Sequence, residues 1–305
     1  MQQKIWLDTD IGDDVDDALA LGLVCGLPEL ELVGVSTVFG NVAARSRQTR
    51  TILAVAGGKF RDIPVAAGCG ASLASRPYDN IRAYLEGHLP NQDSTCLPES
   101  ELPPPHPRHG VDLLIETLLA GDGDIIPITI GAMTNLAMAL TKERRIAAKI
   151  PRIVVMAAEF KRGFAEYNIR CDPEAAALVF QSGIPIDVTP WNIGDDAKFA
   201  PEHIARLAAS DRPMARHLAQ TIRAWQENAV GQNAMPSLFD PMAVATMVKP
   251  ELVEWKQGTV RVELRGEHTY GFTTFQEHEI GRHRVAWNVA REPAQAFYLE
   301  RVLAV

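Results

Sequence analysis

Ile5-Trp6-Leu7-Asp8-Thr9-Asp10-Ile11-Gly12-Asp13-Asp14-Val15-Asp16-Asp17-Ala18-Leu19-Ala20-Leu21 changes its period once, and that change decides the fold. Residues 5–8 are a short apolar run ending in acid. From Val15 to Leu27, VDDALALGLVCGL carries apolar residues at helical spacing and closes on Gly26-Leu27-Pro28. The same strand-then-helix alternation recurs outward from this stretch. LELVGVSTVFG (30–40), IPVAAG (63–68), IIPITIG (125–131), RIVVMAA (152–158) and IPIDVTP (184–190) read as strands. VAARSRQTRTILAVAG (42–57), DLLIETLLAGDG (112–123), TNLAMALTKE (134–143) and PEAAALVFQSG (173–183) read as helices, the last with Pro173 in its first turn. Strands that are Val/Ile runs rather than alternating ones, separated by helices, imply a parallel sheet covered on both faces. The pattern is that of a doubly wound α/β fold.

Two segments interrupt it. Residues 74–109 hold seven prolines (77, 90, 98, 103, 104, 105 and 107) and little periodicity, which predicts a mobile loop insertion. Beyond about residue 245 the chain reads as strands and turns, then as a C-terminal helix from Pro293. With no Gly-, Ser- or charge-rich linker and no internal repeat, residues 1–305 are expected to form a single domain. The composition, 47% hydrophobic and 22% charged, is that of a globular protein and excludes global disorder. No apolar window reaches the length of a membrane span, and the start lacks a signal-peptide pattern. Cys25, Cys69, Cys96 and Cys171 stand far apart without a CxxC pair, which points away from a disulfide framework and towards a reducing cytoplasm.

The net charge of -8 is concentrated. Residues 1–17 carry six aspartates and one lysine, a balance of -5, so the rest of the chain contributes -3. A weakly acidic chain without a basic stripe is a poor nucleic-acid binder. The six carboxylates between Asp8 and Asp17 begin at the carboxyl end of the first strand, where open parallel sheets bind ligands, and end in the first turn of a helix. Helix-dipole and capping effects would account for Asp14, Asp16 and Asp17. They do not account for Asp8 and Asp10 on a strand end. A hard cation bound by oxygen, Ca²⁺ or Mg²⁺, would relieve the mutual repulsion. An EF-hand is excluded, because its sixth and twelfth loop positions, Gly and Glu, would fall on Asp13 and Leu19.

Three downstream elements offer matching chemistry. Asp240 in LFDPMAVATMV (238–248) precedes a Pro-initiated apolar helix, where an N-cap is the ordinary reading. In Glu166-Tyr167-Asn168-Ile169-Arg170-Cys171-Asp172-Pro173, Asp172 is expected to cap the helix opened by Pro173. Glu166 and Asn168 would alternate on an extended segment, and a carboxylate beside an amide suits vicinal hydroxyls. Ile130-Gly131-Ala132-Met133-Thr134-Asn135 is a strand end that turns through small residues and can expose a backbone carbonyl.

In this order, DTDIGDDVDDALAL, VFGN, IGAMTNLAMAL, EYNIRCDPEAA and DPMAVA resemble the inosine–uridine-preferring nucleoside hydrolase family, from about Ile5 to the C-terminal helix. The resemblance implies a single-domain, mostly parallel Rossmann-like sheet with small β elements and a helix near the C-terminus. It also implies a Ca²⁺-dependent ribonucleoside N-ribohydrolase, a homodimer or homotetramer, acting in nucleoside catabolism or purine and pyrimidine salvage. Carried over by position, Asp10 is implied as metal ligand and general base, Asp17 as bidentate ligand, Asp240 as the distant carboxylate ligand and Ile130 as carbonyl ligand. Asp16, Asn41, Glu166 and Asn168 are implied to contact sugar hydroxyls. Met156 would line the sugar pocket, and Asp8 would orient the acidic loop from behind.

Departures from the family pattern shape the remaining expectations. Two extra residues separate Gly12 from the Asp-Asp-Ala helix start, so Asp16-Asp17 align with the family pair and Asp13 and Asp14 become additional acids. Phe239 stands where many members carry a histidine that protonates the leaving base. Trp225 and Phe239, with Trp191 as a weaker candidate, would instead stack on the base, although core packing is the ordinary role of any one aromatic. His88, His106 and His109 are alternative proton donors. Residues 157–165, AAEFKRGFA, lack the asparagine that meets the 5′-hydroxyl in several members. Two rival readings are an inactive nucleoside- or ribose-binding protein of the same fold, and a haloacid-dehalogenase-type phosphatase with Asp8 as nucleophile.

Overall fold

The computed structural model describes residues 2–74 and 91–305. The apolar runs become β1 (Gln3–Thr9), β2 (Leu30–Thr37), β3 (Val65–Ala67), β4 (Ile125–Thr129), β5 (Ile153–Met156) and β6 (Ile186–Thr189). β7 (Val253–Val262), β8 (Thr273–Glu277) and β9 (His283–Val289) extend the same sheet, whose order is β3-β2-β1-β4-β5-β6-β9-β7-β8. All pairings from β3 to β9 are parallel, and β7 joins β9 and β8 antiparallel. The helices are α1 (Asp16–Cys25), α2 (Val42–Ala56), α3 (Gly110–Ala120), α4 (Thr134–Lys142), α5 (Tyr167–Cys171) and α6 (Pro173–Phe180). They continue with α7 (Trp191–Asp196), α8 (Pro201–Ala208), α9 (Pro213–Trp225), α10 (Phe239–Val248) and α11 (Arg291–Val302).

Strand alternation feeds two cores. Ile5 and Leu7 of β1, Ile126 and Ile128 of β4, and Val154 and Met156 of β5 pack with α1, α9, α10 and α11. Trp6, Ile125, Ile153 and Val155 face the other way, against α3, α4 and α6. Each such side chain, withdrawn from water, contributes roughly 1.5–3 kcal/mol. This double burial is why the strands read as unbroken apolar runs rather than alternating ones.

The sheet order places the site. From β1 the chain steps outward through β2 to β3, then returns to start β4 on the other side of β1. The reversal leaves a crevice beyond the carboxyl ends of β1 and β4, the usual ligand position in open α/β sheets. The acidic loop leaves β1 there.

The expected mobile insertion, 74–109, falls partly on residues 75–90, which lie outside the described residues, as does His88. From Asn91 onward the chain is held down. Gln92 is fully buried between Gln48 of α2, which donates to its Oε1 at 2.6 Å, and Asp14, whose carbonyl accepts from its Nε2 at 2.6 Å. Glu99 pairs with both terminal nitrogens of Arg50 at 2.8 Å.

Candidate metal and sugar site at the sheet crevice

Gly12, at φ 126°, makes the turn out of β1, a conformation that L side chains rarely adopt. α1 starts at Asp16, so the Asp16-Asp17 alignment is the one the backbone follows. Its N-cap position is Val15, which has no side-chain cap to offer, and the Asp14 carboxylate accepts from the neighbouring Val15 N–H at 2.7 Å. Capping therefore leaves Asp16 and Asp17 unexplained. Both are buried, and Asp17 accepts from the Thr9 hydroxyl at 2.5 Å.

Asp240 enters from the opposite end of the sequence. The cap expected of it does not form: α10 already begins at Phe239, and Asp240 sits inside the first turn, 1% exposed, with Oδ1 lacking any partner. A proline that needs no N–H donor is tolerated in the first turn, and the helix starts two residues earlier than the sequence suggested. Carboxylate oxygens of Asp16, Asp17 and Asp240 lie within 4.8 Å of one another. Burial, then mutual repulsion, pushes all three well above the usual carboxylate range. An orphaned buried oxygen facing two further carboxylates is the donor set of a hard divalent cation, and these residues fit one.

Around this trio the other implied residues assemble in one cavity of about 340 Å³. Asp10 lines it, with Oδ1 2.6 Å from where a Cβ on Gly131 would stand, so only glycine is tolerated at 131. Burial raises Asp10 to about 6, partly opposed by Arg45. Asn168 donates to the carbonyls of Ile130 (2.9 Å) and Met156 (3.1 Å), tying together the ends of β4 and β5. Glu166 and Asn168 do not share an extended segment, contrary to the sequence reading: Glu166 is extended, but Asn168 already lies in α5. Glu166 N-caps α5, accepting from Asn168 N at 2.9 Å and Ile169 N at 3.2 Å, and also accepts from Ala158 N at 3.1 Å. Burial lifts its carboxyl to about 7. A tight cap, not strand alternation, brings Glu166 and Asn168 to the same cavity.

Two implied residues are held by bonds of their own. Asn41 caps α2, accepting from Ala44 N at 3.1 Å, and is not among the lining residues. Asp8 shares the sheet face of Trp6 and braces β2 and α4, not the acidic loop. It accepts from Ser36 Oγ (2.5 Å) and Asn135 Nδ2 (2.7 Å), and burial pushes it to about 7. Asp172 caps α6 as expected, accepting from Ala175 N at 3.0 Å, and also from Thr134 Oγ1 at 2.7 Å.

The raised carboxyls set a pH dependence. Each of Asp8, Asp10 and Glu166 holds its proton more tightly folded than unfolded. The resulting stability is complete below the unfolded values near 4 and is lost as pH rises through about 6 to about 7. With divalent cations chelated, Tm is expected to fall between about pH 5 and pH 7.5. A Tm that stays level or climbs over that interval in a calorimetric scan would contradict the burial of these acids.

Arg45 is the residue the sequence did not announce. It is 2% exposed on α2 and gathers the loop: Nε donates to Phe39 O (2.6 Å), Nη1 to Asp10 O and to Ile11 O (2.9 Å), and Nη2 to Asp13 Oδ2 (2.5 Å). It offsets the charge added by the longer acidic loop and holds Phe39 at φ 61°. Lysine keeps the charge but lacks the fork. Arg45→Lys is expected to cost about 3 kcal/mol, seen as several degrees of Tm; an unchanged melting curve would remove Arg45 from this role.

Three helix ends build the apolar wall. Trp191 opens α7, Trp225 closes α9 and Phe239 opens α10. Trp191 and Phe239 lie 5.6 Å apart at 30°, Phe164 meets Trp191 edge-on at 5.3 Å, and Arg162 stands over the Trp191 ring at 4.4 Å. Trp191 is thus as central as the two aromatics ranked above it. Gly194 lets α7 approach this closely, since a Cβ there would lie 2.3 Å from Phe239 Cα. Asn91, Ala229 and Val230 also line the cavity, and no motif marked them; Tyr167, inside the EYNIRCDPEAA motif but given no role there, lines it too. His106 and His109 do not line it; His109 accepts from Val111 N at the start of α3.

The sequence profile of the inosine-uridine preferring nucleoside hydrolase family matches residues 5–300. The pyrimidine-specific ribonucleoside hydrolase RihA of Photobacterium profundum is 31% identical over 92% of this chain and 91% of its own length. The inosine-uridine preferring nucleoside hydrolase of Crithidia fasciculata is 30% identical over 90% of this chain and 87% of its own. Among solved structures, a plant nucleoside hydrolase superposes over 100% of both chains with a TM-score of 0.85 at 27% identity. The chain belongs to the inosine-uridine preferring nucleoside hydrolase family, whose named members hydrolyse ribonucleosides.

Proposed function

We propose that the protein hydrolyses the N-glycosidic bond of ribonucleosides to free base and ribose, with Ca²⁺ held by Asp10, Asp17, Asp240 and the Ile130 carbonyl. The convergence of Asp17 and Asp240, with Asp16 beside them and Asp10 in the same cavity, next to an aromatic wall carries this reading; that Asp10 rather than Asp16 is the third carboxylate ligand follows the family resemblance. Ca²⁺ at that set would supply Lewis acidity, lowering the pKa of a nearby water and fixing sugar hydroxyls. The chain's own groups do the rest. Asp10 takes the proton of the attacking water. Asp16, Glu166 and Asn168 hold the sugar hydroxyls, and the Oδ1 of Asn168, free of protein partners among the described residues, accepts from one of them. The carboxylate floor stabilises positive charge developing at the anomeric carbon. Attack from the face opposite the base inverts that carbon. Trp191, Trp225 and Phe239 stack on the base.

Asp8 serves none of these steps, and a phosphatase built on it is disfavoured, since it lies 1% exposed behind the cavity and bonded to Ser36 and Asn135. An inactive binding protein is disfavoured by the intact acid set. The family resemblance also carries a homodimer or homotetramer, and the cysteine pattern a cytoplasmic location. The four unpaired cysteines fit a reducing compartment, and no helix among the described residues is long and apolar enough to cross a membrane. The test is ribose release from purine and pyrimidine ribonucleosides, with Ca²⁺ and with a chelator. Release that persists unchanged under chelation would sink the metal assignment, and no release from any nucleoside would sink the hydrolase reading.

A further inference from the structure

We propose that, as a ribohydrolase, this cavity prefers ribonucleosides whose base is a cationic, N-quaternised heteroaromatic ring, the pyridinium ribosides. The inference rests on the reading of the site given above and adds its substrate class.

The first support is the leaving group. A neutral purine or pyrimidine departs as an anion unless it is protonated. Among the described residues, no histidine, lysine or arginine lines the cavity, and the position before Asp240 is a phenyl ring. A pyridinium base needs no donor. Its C1′–N bond breaks with both electrons remaining on the ring nitrogen, which becomes a neutral pyridine. The oxygen of water bonds to C1′, and the proton of that water passes to Asp10 and then to solvent. The products are ribose, a neutral pyridine and one proton.

The second support is charge. Six aspartates and Glu166 line the cavity. Burial keeps part of this set protonated, so they are not seven full charges, but among the described residues no lysine, arginine or histidine lines the cavity to oppose those that ionise. The field still favours a cationic ligand once a metal is bound.

The third is the wall. Trp191, Trp225 and Phe239 line the cavity, and Trp191 already takes one cation, Arg162, at 4.4 Å, so this wall is of the kind that holds cations. A cation over such rings gains about 0.5–2 kcal/mol.

The experiment compares kcat/KM for nicotinamide riboside, uridine and inosine with Ca²⁺ present. It also compares inhibition of uridine or inosine cleavage by 1-methylnicotinamide and by neutral nicotinamide, a pair without ribose whose difference does not depend on intrinsic bond lability. Nicotinamide riboside is expected to exceed the better neutral nucleoside by about tenfold or more, and the methylated cation to inhibit about tenfold more tightly than nicotinamide. Trp191→Leu should shrink both ratios, and raising the salt concentration should lower kcat/KM for the cation more than for uridine. If uridine or inosine is cleaved and nicotinamide riboside is not preferred, or the two inhibitors bind alike, this inference is overturned while the hydrolase reading stands. If no riboside is cleaved, both fall.

Discussion

Asp10→Asn is expected to lower kcat for ribose release by about a thousandfold. Asparagine has the same shape, so it still fits against Gly131, and the Arg45 bond reaches the main-chain carbonyl of residue 10, which the substitution keeps. What disappears is acceptance of a proton, together with the negative charge. The amide oxygen remains a hard ligand, though a neutral one, so Ca²⁺ affinity should fall far less than kcat. Activity at saturating Ca²⁺, with the dissociation constant followed by calorimetry, separates the two effects. A variant within threefold of the parent kcat would move the base to another carboxylate.

Asp240→Asn should act in opposite directions with and without metal. In the metal-free protein the Asp240 carboxyl is buried, repelled by Asp16 and Asp17, and has one oxygen without a partner. An amide removes the repulsion and can donate to a neighbouring carboxylate, so Tm with chelator is expected to rise by a few degrees. The same change removes a charged ligand, so the Tm gain on adding Ca²⁺ should vanish, with affinity down by about a hundredfold. Scanning calorimetry with chelator and with Ca²⁺ reads both signs. A variant less stable without metal, yet still stabilised by Ca²⁺, would show that Asp240 is a structural acid and no ligand.

The parallel sheet was legible because both its faces are covered, which makes Ile128 or Val154 apolar whichever way it points. The acids were legible because charge on a strand end has no structural excuse. Legibility ended where geometry, not residue type, decides. Asp-Pro reads as a cap, and only the start of α10 at Phe239 shows that Asp240 is free of that duty. Glu166 and Asn168 read as an alternating pair, whereas a carboxylate capping two backbone N–H groups turns the chain there. Asn41 went to capping α2. Arg45 sits in a helix rich in arginine, and nothing local distinguishes it from Arg47 or Arg50. The feature that does, two carbonyls of the acidic loop within its reach, exists only after folding. Asn91 and Val230 likewise enter the cavity through tertiary placement alone.

Asp16 and Asp17 precede Asp240 by more than two hundred residues. α1 and α10 pack together, and the Tyr298 hydroxyl of α11 donates to the Leu19 carbonyl at 3.1 Å. The acid trio therefore cannot exist in a nascent chain until most of it has left the ribosome. During synthesis the two aspartates have no partner until α10 is made, and they meet it in a closure of long sequence separation. A metal that binds only the closed form would slow unfolding without hastening folding, acting as a late clasp on a sheet already built.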